Sequence, residues 1–116
     1  MSVMETDNID AIGMDKEMQR VFLSIIDPLL WDDEDVHLFT LQEKINTYLV
    51  FIESGELLKA FPASKGFDIS IELILMHVPS DKAIAFFDKT IQILLDKQIV
   101  FTFGPKKETG YVEFKN

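Results

Sequence analysis

The stretch Trp31-Asp32-Asp33-Glu34-Asp35-Val36-His37-Leu38, running on through Leu41, Ile45, Leu49 and Ile52 to Ser54-Gly55, decides how the rest of the chain is read. From Leu38 its apolar positions step by 3, 4, 4 and 3 residues, one stripe down an α-helix, and Val36, Phe39, Tyr48 and Phe51 widen that stripe. Asp32 or Asp33 can cap the start. Glu34 and Asp35 then sit where unpaired amides and the positive end of the helix dipole favour negative charge. At ~1.5 Å per residue the span from Asp33 to Ser54 is roughly 33 Å, enough to lie across a small sheet. Gly55 suits the left-handed position that ends such a helix, and Glu56 to Phe61 adds a further helical turn before the loop Pro62-Ala63-Ser64-Lys65-Gly66.

The flanking segments read as sheet. Ile9 to Met14 and Val21 to Ile26 are joined by Asp15-Lys16-Glu17-Met18, a polar spacer of hairpin length, and Asp27-Pro28 closes the pair because proline cannot donate to a strand ladder. Phe67 to Val78 is the clearest strand. Its Ile69, Ile71, Leu73 and Leu75 alternate onto one face, and Ser70, Glu72, Ile74, Met76 and Val78 share the other, which turns apolar toward its far end. Pro79-Ser80-Asp81 breaks and caps, leading into a second helix, Lys82 to Lys97, with Ile84, Phe87, Ile91 and Leu94 or Leu95 at helical spacing. Ile99 to Phe103 is a strand, and Tyr111 to Phe114 is a short edge strand. The expected fold class is α+β: a two-layer sandwich, with a mixed sheet of four to five strands, two helices on one face, and the order ββαβαβ(β). Crossovers through a helix make the strands they join parallel, against an antiparallel N-terminal hairpin.

A chain of 116 residues with 47% apolar residues and ten Phe has the size and the core of one domain, 1–116, with residues 1–8 expected to fray. No unbroken apolar run is longer than Tyr48 to Ile52, far below the roughly 18 residues of a membrane span. The start, Met1 to Asn8, has no Lys or Arg and no apolar core of a secretory signal, and the chain has no cysteine, so no disulfide or thiolate site is available. Cytoplasmic localisation is the expectation. Twenty acidic residues against eleven basic ones give a formal charge of −9, which repels nucleic acid and anionic lipid and favours a basic protein partner if it favours any.

Four segments carry a resemblance: Ile9-Asp10-Ala11-Ile12-Gly13 with Asp15-Lys16-Glu17; Trp31-Asp32-Asp33-Glu34 with His37; Leu41-Gln42-Glu43-Lys44-Ile45-Asn46; and Tyr48-Leu49 with Phe51-Ile52-Glu53-Ser54-Gly55. With these the chain resembles a family of small uncharacterised bacterial proteins, a domain of unknown function, over its length up to about Phe103. The resemblance implies a bacterial cytosolic domain and brings no active site with it.

No motif for catalysis, metal or nucleotide stands out. Asp32 to Asp35 lacks the alternating oxygen ligands and central glycine of a calcium loop. His37 and His77, the only histidines, fall in different elements, His37 as a surface partner for the acids and His77 at the rim of the core. The glycines are too scattered to cradle a phosphate, and Glu43 with Lys44 reads as an ordinary solvated pair. Neither a cofactor nor a metal is expected. Three function classes remain. The favoured one is a non-catalytic acidic interaction module, of the inhibitor or immunity type, presenting Trp31, Asp32, Asp33, Glu34 and Asp35 to a basic partner. The second is a self-associating homodimer using the Ile74-Met76-Val78 strip or the Tyr111 edge. The third is an enzyme with carboxylate chemistry, which is disfavoured.

Overall fold

The computed structural model describes residues 4–106, 110 and 111. Its elements are β1 (Ala11–Asp15), β2 (Arg20–Asp27), α1 (Glu34–Glu53), α2 (Glu56–Ala60), β3 (Asp68–Leu75), α3 (Asp81–Asp96) and β4 (Ile99–Pro105), with a short 3-10 turn at Pro62–Ser64. The sheet has the order β1-β2-β3-β4. β1 pairs antiparallel with β2, while β2–β3 and β3–β4, each joined through a helix, are parallel. The fold is α+β with a mixed sheet, and the helix-crossover argument gave the strand directions correctly.

Alternation along the strands separates the two faces. Val21, Leu23 and Ile25 of β2, Ile71, Leu73 and Leu75 of β3, and Ile99 and Phe101 of β4 point into the core with the helices. α1 reaches that face through His37 on Asp27, and α3 through the Phe87 ring, 4.8 Å from Phe103 and 6.4 Å from Phe101. The opposite face carries Phe22, Ser24 and Ile26 beside Ser70, Glu72 and Ile74, then Val100, Thr102 and Gly104.

Both long helices begin on side-chain caps: the Val36 amide donates to Asp33 and the Ala83 amide to Ser80. α1 ends where Gly55 takes a φ of +88°, as its lack of a side chain allows, and α2 follows at once.

Several expectations need correction. The clearest strand stops at Leu75, not Val78, so Met76 and Val78 stand in the following loop and the Ile74-Met76-Val78 strip is not a strand face. The physical reason is Pro79, which with Ser80 must turn the chain into α3. Val36 and Phe39 do not widen the buried stripe of α1; they are 60% and 62% exposed. His37 and Lys44 take the inward positions, so His37 is not a surface partner and Lys44 is not solvated. In α3 the inward side is Ala83, Phe87, Thr90 and Leu94, leaving Ile84 and Leu95 exposed. His77 lies past the end of its strand.

Of the stretch expected to fray, residues 1–3 lie outside the described residues. The carbonyls of Glu5 and Asn8 accept from Lys44 and that of Thr6 from Thr47, tying this segment to α1. In the expected last strand, Tyr111 is in a bend and packs on the core, and residues 112–114 lie outside the described residues.

Candidate functional site

The acidic run sits at the carboxyl end of the parallel strands, where β2 leads into α1 and β3 into α3. The two helix starts meet there, because Lys82 in the first turn of α3 pairs with Asp35 in the first turn of α1. That carboxylate raises the pKa of the exposed Lys82 ammonium by a hydrogen bond and by its charge. Asp33 is spent on the cap, and the Asp32 carboxylate accepts from the Asp33 amide. Among the described residues no Lys or Arg pairs with Asp32, Asp33 or Glu34. Leu30, 45% exposed, precedes the run, and the exposed Val36 and Phe39 follow it one turn apart. The result is a run of acids flanked by exposed apolar side chains.

Trp31 forms the floor of this run. Its ring stacks on His37 with centroids 3.6 Å apart and planes 17° from parallel, and meets Phe87 edge-on at 6.1 Å. The indole nitrogen is buried without a hydrogen-bond partner among the described residues, a loss of roughly 1–3 kcal/mol. Beneath it, His37 Nε2 lies 2.6 Å from Asp27 Oδ2, and Nδ1 lies 3.2 Å from the Leu30 carbonyl. The other Asp27 oxygen accepts from the Leu29 amide. A carbonyl only accepts, so Nδ1 donates to Leu30. The two side chains are only 2% and 0% exposed, so a substrate has no route to them. What this pair can do is brace the loop at Pro28 to Asp33 between strand and helix.

A second buried charge cluster lies further along α1. Lys44 donates to the carbonyls of Glu5 and Asn8 and, at 2.7 Å, to Asp10, whose other oxygen accepts from the Ile26 amide. The Tyr48 hydroxyl donates to the Ser24 carbonyl and accepts from the Asp10 amide. Burial pushes the pKa of this phenol upward.

The sequence reading grouped Trp31 with Asp32 to Asp35 and missed what lies under them. One signal was there to be read: Val21, Leu23, Ile25 and Asp27 share one face by simple alternation, which puts a carboxylate in the core and asks for a partner. Among the described residues no three His, Asp or Glu side chains gather as a metal site, and no helix is long and apolar enough to cross a membrane.

Comparison with curated proteins and with solved structures returned no match. A family model described as a family of unknown function matches residues 1–107, which agrees with the resemblance read from the four segments and extends it slightly past Phe103. The chain belongs to that family, DUF6572.

Proposed function

We propose that this domain is a non-catalytic interaction module that captures a basic protein in the bacterial cytoplasm, as an inhibitor or immunity-type protein does. The observation that supports this most is the exposure of Leu30, Val36 and Phe39 around the acids Asp32, Asp33, Glu34 and Asp35. A helix start needs a cap and one or two acids; four acids beside three large exposed apolar side chains exceed what folding uses. The acids steer a basic surface in, and the apolar side chains, with Trp31 as the rigid floor, give it something to bury.

The experiment is capture by the immobilised domain from extracts of its own cell, at low and high salt, against the variant carrying Asp32→Asn, Asp33→Asn and Asp35→Asn. Asparagine still caps a helix, so folding should lose about 1 kcal/mol or less per site. Capture of a basic protein should disappear in the variant and weaken with salt. A partner retained equally by the variant and at high salt would overturn the reading.

A further inference from the structure

The face of the sheet turned away from α1 and α3 carries the inference. Three parallel strands ordinarily have helices on both faces, because their crossovers and their apolar side chains require it. Here both crossovers lie on one side, and among the described residues no helix covers the other. The open face is not simply polar. One row across it is Phe22, Ser70 and Val100, another is Ile26, Ile74 and Gly104, and between them lies Ser24, Glu72 and Thr102.

Charge on this face is unevenly settled. Arg20 donates to Ser70 at 2.6 Å and approaches Asp68 at 3.8 Å. Glu72, on interior strand β3, is half-buried, and no Lys or Arg pairs with it among the described residues. It lines a groove of about 730 Å³ with Ile74, Thr102, Gly104 and Lys106, yet Lys106 makes no ion pair with it. A half-buried carboxylate with Phe22 and Val100 to one side along the strands and Ile26 and Ile74 to the other is a site for a cation brought in on an apolar surface.

We propose that this open face docks an amphipathic helix of another protein, one that carries a Lys or Arg in the middle of an apolar stripe and places it on Glu72. The spacing sets the pattern. Along β2 the apolar pair Phe22 and Ile26 are four residues apart, or about 13 Å at ~3.3 Å per residue, with Glu72 of β3 beside the midpoint between them. On a helix lying along the strands, positions i and i+8 are about 12 Å apart, and i+4 falls between them on the same side. The expected motif is therefore an apolar residue, three others, Lys or Arg, three others, and a second apolar residue. A second copy of this chain fits less well, since a face-to-face dimer would bring two Glu72 carboxylates and two chains of charge −9 together.

The test uses the whole chain and a synthetic helical peptide of this pattern, with Leu at i and i+8 and Lys at i+4, alongside the same peptide with Glu at i+4. Binding is followed by NMR amide shifts. The Lys peptide should perturb β2, β3 and β4 residues of the open face and bind at least tenfold tighter than the Glu peptide. Glu72→Lys should reverse that preference, and a thermal melt should show the variant folded, since Glu72 lies outside the helix-covered core. The Asp32→Asn, Asp33→Asn, Asp35→Asn variant should bind the Lys peptide within about threefold of the parent, which separates this surface from the acidic run. Unchanged binding by Glu72→Lys, shifts confined to residues 30–39, or a salt-resistant dimer with no peptide binding would each overturn the proposal.

Discussion

The two faces of the sheet treat charge in opposite ways. On the helix-covered face, buried Asp27 has His37, and buried Lys44 has Asp10 and two carbonyls. On the open face Glu72 has no Lys or Arg partner among the described residues. Desolvation explains the difference. A charge sealed from water by two layers must be paired within the chain or the fold fails, whereas a charge on a half-open face can keep some water until a partner arrives. The charges that hold this molecule together are hence the paired ones, and the sites that can act on other molecules are where pairing is incomplete.

The comparison can be broken most directly at Lys44. Lys44→Met removes the cation and strands Asp10, so equilibrium urea denaturation should show a loss of about 3–5 kcal/mol. A loss under about 1 kcal/mol would mean that the cluster is hydrated and that the two faces are not so different.

Asp27→Asn should be milder, about 1–2 kcal/mol, because an amide can donate to His37 Nε2 while the ring keeps its Nδ1 proton on Leu30. Asp27→Ala offers no such replacement and should cost more. Equal losses for the two variants, in the same denaturation experiment, would contradict the hydrogen-bond arrangement.

Tyr48 provides a pH readout. Its folded pKa is raised above the unfolded one, so the neutral phenol contributes stability that is fully present below about pH 10 and is lost as pH rises beyond it. Urea midpoints from pH 8 to 11 should fall more steeply for the parent than for Tyr48→Phe, by up to about 1.4 kcal/mol per pH unit above pH 10. Parallel curves would place the hydroxyl in water. The smallest effect belongs to the other face: Glu72→Gln should alter thermal stability by no more than about 0.5 kcal/mol, and a large loss would show Glu72 to be structural after all.

Local signals made much of the fold legible. Asp33 and Gly55 bracket the long helix where capping chemistry and a left-handed turn require them, and the hairpin closes at Asp27-Pro28 as its proline dictates. Trp31 and Asp32 to Asp35 were visible as one cluster because they are contiguous. The pairs Asp27–His37 and Asp10–Lys44 were not, since they join residues 10 and 34 positions apart and appear only when α1 is laid against the end of β2 and the segment leading into β1.

By itself, then, the sequence determined the elements, their order, the parallel crossovers, the acidic balance and the family, because periodicity, caps and breakers act within a few residues of one another. The buried stripe Leu38, Leu41, Ile45 and Tyr48 was legible too, and tertiary structure alone decided how that stripe extends to either side. A stripe wide enough to include Val36, Phe39, His37 and Lys44 can be rotated either way, and it was the carboxylates of Asp27 and Asp10, waiting on the sheet side, that drew His37 and Lys44 inward and left Val36 and Phe39 outside.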